Sequence, residues 1–250
     1  MLSIIRCLQV IICIAALYNS ELVFAVEHNR PVILIDSGHT PKQSGAMSIS
    51  GIREVVYNDH FVTQLRDYLE QAGFSVVLTR KSDESIGLMD RVAIANRIMP
   101  SLFLSIHHDS AQLRYLDKFK INKKLTAYKT IKPIAGFSIF VSEKNSEFAK
   151  SYQFAELLGQ SFVKLNRLPT LHHAENIAGE NREFLNKSLG IYRYDDLLVL
   201  KKTLVPAVLL EVGVIVDQQD ERFVTDAQNQ QLMYQAIVES IKSYINHLGL

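Results

Sequence analysis

The sequence contains few cysteines, no tryptophan and no strong excess of either charge. Its two cysteines, Cys7 and Cys13, both lie in the first 25 residues, so the rest of the chain offers no thiolate for metal binding, catalysis or a disulfide. The 27 lysines and arginines against 26 aspartates and glutamates give a formal net charge of +1. This balance argues against nucleic acid as a partner, because phosphate binding needs a basic surplus. The hydrophobic content of 48% is typical of a globular protein.

Long hydrophobic runs are also missing, except near the start of the chain. Leu8 to Leu17 form an almost unbroken apolar run, and Val23-Phe24-Ala25 is typical of a cleavage site. We predict a secretory signal peptide over residues 1–25, followed by a single domain over residues 26–250. A retained anchor is the alternative, but the run is too short to cross roughly 30 Å of hydrocarbon. We therefore expect a periplasmic or secreted protein with no stable membrane anchor after cleavage.

Segments typical of strands and helices alternate along the rest of the chain. Short apolar runs rich in β-branched residues predict buried strands at 32–35, 74–78, 102–106, 136–141 and 207–210. Apolar residues at helical spacing predict helices over 58–72, 88–99, 146–165 and 231–248. Strands separated by helices favour βαβ crossovers. We predict an α/β domain with a mixed, mainly parallel sheet and helices on both faces.

One segment, Gln112 to Lys132, departs from this alternation. It holds seven lysines and arginines against a single acidic residue, Asp117. A solvated loop or hairpin is the favoured interpretation, because runs of charge usually face water. A basic rim beside a cleft is the alternative.

Side chains capable of catalysis follow three of the predicted strands. His39 comes shortly after the first strand, His107 directly follows the strand at 102–106, and Glu211 directly follows the strand at 207–210. Glu54 opens the first long helix. Because ligands and catalytic groups gather beyond the carboxyl ends of parallel strands, we expect these four residues to meet at one edge of the sheet.

Two imidazoles and a carboxylate are sufficient for a catalytic zinc site. Three such ligands bind zinc at about 2.0–2.2 Å and leave one coordination position for water. Zinc lowers the pKa of that water to about 7 and polarises a carbonyl group. A second carboxylate that is not a ligand can carry the proton of the water to a leaving amine. Spacing alone is a weak signal here, since the sequence has no compact zinc motif such as H-E-x-x-H.

Six stretches, in order over residues 31–213, resemble the zinc-dependent N-acetylmuramoyl-L-alanine amidases, the type 3 cell-wall amidase family. They are I-D-S-G-H at 35–39, G-I-R-E at 51–54, L-T-R at 78–80, D-R-V-A-I-A-N at 90–96, L-S-I-H-H-D-S at 104–110 and P-A-V-L-L-E-V-G at 206–213. The resemblance implies zinc ligands His39, Glu54 and His107, with Glu211 as the catalytic general base. It also implies hydrolysis of the amide between N-acetylmuramic acid and L-alanine in peptidoglycan. Some members of the family depend on an activator protein, which is therefore a candidate partner.

The sequence departs from the family pattern beside both histidine ligands. Thr40-Pro41-Lys42 follows the first histidine, where glycines are usual, and His108 follows the second, where a small residue is usual. Because strand alternation sends His107 and His108 to opposite faces, only one of them can be a ligand. The resemblance selects His107, and His108 is expected to fill space.

Other polar residues are expected to support the site or the fold. Asp36, three residues before His39, is expected to hold an imidazole tautomer, as metal-bound histidines commonly require. Arg80 and Arg91 are expected to brace the fold through ion pairs. We interpret His172 and His173 as loop residues near the rim of the cleft rather than as further metal ligands, because three ligands and a water already complete a zinc site.

Two other functions stay open on the sequence alone. A zinc carboxypeptidase or amidohydrolase acting on small soluble wall peptides would use the same metal set, because the metal chemistry does not encode the leaving group. A non-catalytic peptidoglycan-binding regulator could share the fold. The presence of all four residues that the hydrolysis would use argues against a non-catalytic regulator.

Overall fold

The computed structural model describes residues 30–249, so the predicted signal peptide over residues 1–25 lies outside the described residues. The chain divides into the units Met1–Pro31 and Val32–Leu250, and every element named below belongs to the second unit. Within the described part of the chain, each helix is too short or too polar to span a lipid bilayer.

Residues 32–248 contain nine strands and six α-helices. The strands are β1 (Val32–Ser37), β2 (Ser75–Leu78), β3 (Leu102–Asp109), β4 (Leu116–Ile121), β5 (Leu125–Thr130), β6 (Ser138–Val141), β7 (Phe184–Asn186), β8 (Ile191–Arg193) and β9 (Ala207–Val214). The helices are α1 (Glu54–Gln71), α2 (Leu88–Ile98), α3 (Phe148–Lys164), α4 (Leu198–Lys202), α5 (Gln218–Thr225) and α6 (Ala227–Leu248).

Seven of the strands form one mixed sheet in the order β2-β1-β3-β9-β6-β8-β7. The pairs β2–β1, β1–β3, β3–β9 and β6–β8 are parallel, whereas β6–β9 and β7–β8 are antiparallel. The prediction of a mixed, mainly parallel sheet is confirmed. The parallel pairings β1–β3 and β3–β9 bring the carboxyl ends of β1, β3 and β9 to one edge.

Apolar cores cover both faces of the sheet, as predicted. On one face, α1, α3 and α6 bury their apolar stripes, including Phe61, Phe154 and Ile241. On the other face, the smaller core includes Val92 of α2 and Leu200 of α4. Alternate residues of the strands point into the two cores, which is the period-2 pattern expected of a strand buried on both sides.

The elements that carry the site are longer than their apolar patterns predicted. The strands β3 and β9 continue to Asp109 and Val214, so His107 and Glu211 lie within strands rather than after them. Helix α1 begins at Glu54, as expected for that residue, although its apolar stripe begins only at residue 58. His107 and Glu211 interrupt the apolar runs of β3 and β9, so apolar periodicity alone predicts strands that are too short.

The basic segment folds as an antiparallel hairpin of β4 and β5. Its turn is made by Asn122 and Lys123, both with positive φ. The hairpin is joined to the rest of the domain by the hydroxyl of Thr130, which donates to Asp217 at 2.8 Å. The favoured prediction of a hairpin is confirmed.

A buried ion pair fixes the end of β9, the strand that contains Glu211. The carboxylate of Asp220 contacts the guanidinium of Arg167, and both side chains are buried. The same carboxylate accepts hydrogen bonds from the backbone N–H groups of Gly136 at 3.0 Å and Val214 at 2.7 Å. The pair therefore ties the loop after α3, the loop before β6 and the end of β9 to one another.

Replacing Asp220 with alanine should destabilise the domain strongly, because it leaves the Arg167 charge buried and unpaired. We expect the free energy of unfolding to fall by about 3–5 kcal/mol. The matched control is Glu239→Ala, which removes an exposed carboxylate paired with Lys242 at 2.9 Å and should change stability by less than about 0.5 kcal/mol. Urea denaturation followed by circular dichroism measures both, and equal effects of the two substitutions would contradict the assignment.

Candidate functional site

Three of the four predicted site residues come together at one edge of the sheet. One ligand atom from each of His39, Glu54 and His107 lies within 4.8 Å of the other two. Nε2 of His39 is 2.9 Å from Oε2 of Glu54, and Nδ1 of His107 is 3.1 Å from Oε1 of the same carboxylate. The two imidazole rings are edge to face, with centroids 5.0 Å apart. Two imidazole nitrogens and one carboxylate fit a divalent cation such as zinc.

A different kind of local structure presents each of these residues. His107 lies within β3, and Glu54 is the first residue of α1. His39 follows β1 with a φ of 61°, in the left-handed region that is unfavourable for residues other than glycine. Two arginines bind the carbonyl oxygen of His39, Arg91 at 2.6 Å and Arg80 at 3.0 Å. These hydrogen bonds hold the His39 backbone in its strained conformation.

Asp36 supports the site through Arg91 and not through an imidazole. Its carboxylate accepts hydrogen bonds from the hydroxyls of Thr79 at 2.5 Å and Ser105 at 2.8 Å, and it forms a buried ion pair with Arg91. In the described part of the chain these are its side-chain partners. The expectation that Asp36 holds a histidine tautomer is wrong, because both of its oxygens are used on the sheet face beneath the His39 turn.

The predicted bracing by arginine ion pairs is confirmed. Arg80 pairs with Asp59 at 2.6 Å, and Arg91 pairs with Asp36. The sequence contained no sign that both guanidinium groups also converge on the carbonyl oxygen of His39.

Two glycines allow the backbone to approach the candidate ligands closely. A Cβ on Gly38 would lie 2.4 Å from the ring of His107, and a Cβ on Gly45 would lie 2.4 Å from Oε2 of Glu54. The backbone N–H of Ala46, next to Gly45, donates to that same oxygen at 3.2 Å. The two rings and the carboxylate are therefore held by main chain as well as by one another.

The candidate ligands form a strongly polarised group. Burial acts to raise the pKa of Glu54, but hydrogen bonds from His107 and His39 outweigh it and hold this pKa well below its usual range. Burial acts to lower the pKa of His39, and the contact with Glu54 outweighs that effect and raises it. Glu54 is thus an anionic carboxylate at neutral pH, which favours a cation between the two rings.

Glu211 lies beside this group, on the neighbouring strand. It pairs in register with His107 across β3 and β9, so the two side chains leave the same face of the sheet. Its Oε2 is buried and has no hydrogen-bond partner among the described residues. Burial raises the pKa of Glu211 well above its usual value, and the negative charges of Asp109 and Glu54 raise it further. Such a carboxylate is costly unless it has a function or a nearby cation.

A cleft of about 300 Å³ opens beside His39 and His107 on the face of α2 and α4. Gly87 and Leu88 at the start of α2, Leu197 before α4, and Leu209 of β9 contribute to its walls. The cleft therefore combines the candidate metal site with a largely apolar wall that can receive the groups flanking a scissile bond.

His108 fills space, as predicted. Its side chain is 1% exposed and points to the opposite face from His107, against Tyr57 and Phe61 of α1. Nδ1 of His108 lies 2.7 Å from Oδ1 of Asn58. Burial lowers its pKa to about 3, so the ring is neutral.

The prediction of a rim position for His172 and His173 is wrong. They lie in a short 3₁₀ turn and are only 4% and 7% exposed. The turn folds inward, so that the ring of His173 packs edge to face on Phe140 of β6 and its Nε2 reaches Asp109 at 2.9 Å. Asp109 is not among the predicted site residues. Its position after two histidines was the one available signal.

A cation-binding donor set beside a half-buried glutamate and a cleft is typical of a metal-dependent hydrolase of the α/β class. Comparison with protein families then gives a specific assignment. A model described as N-acetylmuramoyl-L-alanine amidase matches residues 33–243. The chain belongs to this family.

Individual relatives agree with the family assignment. The probable cell wall amidase LytH of Staphylococcus saprophyticus is 29% identical over 216 residues, which cover 86% of this chain and 58% of LytH. The catalytic domain of CwlV, an N-acetylmuramoyl-L-alanine amidase from Bacillus (Paenibacillus) polymyxa var. colistinus, is 26% identical. Its structure matches with a TM-score of 0.62 and covers 86% of this chain and 98% of that one.

A third comparison bears on the fold alone. The CwlD amidase from Clostridioides difficile, in complex with the GerS lipoprotein, matches with a TM-score of 0.63 at 20% identity. The match covers 87% of this chain and 99% of CwlD.

Replacing Arg91 with lysine should weaken metal binding at the three candidate ligands. A lysine cannot bind Asp36 and the carbonyl oxygens of Ser37 and His39 together, as the guanidinium does. We expect the affinity for zinc to fall by about 10–100-fold, the usual cost of losing a group that orients a ligand. Competition with a chromogenic chelator measures the affinity.

The matched control for this prediction is Arg97→Lys, an exposed position on the same helix. Its zinc affinity should equal that of the unaltered chain. Equal affinities for the Arg91 and Arg97 variants would show that the His39 turn does not need Arg91.

Proposed function

We propose that this chain is a zinc-dependent amidase that hydrolyses the bond between N-acetylmuramic acid and L-alanine in peptidoglycan. The observation that carries the proposal is the placement of Glu211 in register with His107, beside the donor set completed by His39 and Glu54. Membership of the N-acetylmuramoyl-L-alanine amidase family supports the identity of the bond. Two imidazole nitrogens and one carboxylate support zinc as the metal.

Zinc held by His39, Glu54 and His107 would supply a Lewis acid that activates a water and polarises the scissile carbonyl. Glu211 accepts a proton from the attacking water as the new C–O bond forms. It then delivers that proton to the nitrogen of L-alanine as the C–N bond breaks. The products are the lactyl carboxylate of the glycan and a peptide with a free amino terminus. Oε2 of Glu211 makes no hydrogen bond with the described residues, so no contact of that oxygen competes with proton transfer.

The substrate also determines where the enzyme would act. Peptidoglycan lies outside the cytoplasm, and a signal peptide over residues 1–25 would export the chain to it, so we place the protein in the periplasm or outside the cell. We include an activator protein as a candidate partner. Support for that partner comes from the fold shared with CwlD, whose structure contains the GerS lipoprotein.

Mass spectrometry of digested peptidoglycan tests the bond and the metal together. Intact sacculi and soluble muropeptides are incubated separately with the chain, with a chelator, and with zinc restored. We expect glycan fragments without peptide and stem peptides that begin with free L-alanine, and we expect the chelator to abolish them. Peptides shortened at the carboxyl end instead would overturn the proposal in favour of a carboxypeptidase.

Replacing Glu211 with glutamine should separate catalysis from metal binding. Glutamine keeps the shape of the side chain but cannot accept the proton, so we expect kcat to fall by about 10²–10⁴-fold. Zinc content, measured by plasma mass spectrometry, should be unchanged. The exposed Glu183, which pairs with Arg193 at 2.9 Å, gives the control variant Glu183→Gln, with unchanged kcat. Near-normal activity of Glu211→Gln would remove Glu211 from the mechanism.

A further inference from the structure

A second group of potential metal ligands lies on the same sheet face as Glu211, and the proposed reaction does not use it. One ligand atom from each of Asp109, His172 and His173 lies within 4.8 Å of the other two. Oδ2 of Asp109 is 2.9 Å from Nε2 of His173 and 3.3 Å from Nε2 of His172. All three side chains are largely buried, so these contacts lie away from bulk solvent.

His173 is oriented as metal-bound histidines commonly are. Its Nε2 points to Asp109, and its Nδ1 lies 2.9 Å from Oε2 of Glu180. Glu180 is itself held by Arg182 at 2.9 Å and by the side-chain amide of Gln112 at 3.0 Å. A ligating histidine usually donates its second N–H to a carboxylate, which fixes the tautomer and leaves the other nitrogen for the metal. Glu180 is placed to do this for His173.

An ion pair alone would explain His173 but not His172. A protonated His173 between Asp109 and Glu180 has partners on both ring nitrogens without any metal. His172 has both ring nitrogens buried, and neither makes a hydrogen bond with another described residue. Its Nε2 is near Asp109, but the contact is not aligned as a hydrogen bond. Buried imidazole nitrogens are ordinarily hydrogen-bonded or bound to a metal, so the ring of His172 lacks a binding partner among the described residues.

The surroundings of the group favour a small cation over a larger ligand. The rings of His172 and His173 are packed together, with centroids 3.9 Å apart. Phe140 and Tyr192 pack edge to face on His173, with centroids 5.0 and 5.5 Å away. Aromatic rings therefore enclose the group, and the separations of 2.9 and 3.3 Å between its ligand atoms are short enough for one small ion to bind all three.

We propose that Asp109, His172 and His173 bind a second divalent cation. Two imidazole nitrogens and one carboxylate favour Zn²⁺. This site is separate from the one formed by His39, Glu54 and His107, although Asp109 follows His107 by two residues on β3. The inference goes beyond the proposed amidase activity, because it concerns a metal that the reaction as derived does not require.

Native mass spectrometry of the full chain after equilibration with zinc tests the second site. We expect two zinc ions on the unaltered chain and one on the variant His172→Ala/His173→Ala. The variant His39→Ala/His107→Ala should keep one ion, at the second site. The control His60→Ala/His247→Ala removes two exposed histidines and should keep two ions. A single ion on the unaltered chain, or two ions on the His172/His173 variant, would overturn the proposal.

Anomalous diffraction from crystals of the unaltered chain at the zinc edge gives the same answer without any substitution, should the double variant fail to fold. Two peaks are expected, one of them within coordinating distance of Asp109, His172 and His173. One peak at His39, Glu54 and His107 alone would overturn the second site and leave the amidase proposal intact. Two peaks in a chain that releases no stem peptide would support the second site and overturn the amidase proposal.

Discussion

The carboxylate of Glu54 contacts two histidines from distant parts of the chain, one with each oxygen, and much of the site depends on this double contact. Glu54 is buried, and a buried charge is tolerated only where it is paired. Its place in the first turn of α1 also puts the negative charge at the favourable end of the helix dipole. The start of α1, the His39 turn and the end of β3 must therefore assemble together if the carboxylate is to be satisfied.

Two arginines neutralise two further carboxylates near the His39 turn. Arg91 and Arg80 neutralise Asp36 and Asp59, and both donate to the carbonyl oxygen of His39. Buried ion pairs contribute little net stability, because desolvation offsets most of their attraction. These pairs instead fix the position of the His39 backbone. They hold His39 in a left-handed conformation that the isolated chain would rarely adopt, and that conformation directs its ring to Glu54.

The layers of the fold and the edge where the site forms can be predicted from the sequence, because both follow from apolar periodicity and parallel topology. Strand alternation places His107 and His108 on opposite faces, and the structure has them so. The ends of β3 and β9 could not be predicted, because His107 and Glu211 are polar residues inside strands. The positions of His172 and His173 could not be predicted either. They belong to an irregular segment between α3 and β7, where no periodicity indicates which side chains turn inward, and their partner Asp109 is far away in sequence.

Glu211 differs from the other carboxylates near the site in its hydrogen-bond partners. Glu54 is paired with His39 and His107, Asp109 with His173, and Glu180 with Arg182, whereas one oxygen of Glu211 has no partner among the described residues. Burial and the neighbouring anions favour its protonated form, yet the general base that we propose must be ionised before it can accept a proton. A nearby cation is the physical remedy, since its field stabilises the carboxylate. In the proposed mechanism, the metal that would activate the water would therefore also keep Glu211 ionised, and the register of Glu211 with His107 on the adjacent strand is consistent with both roles.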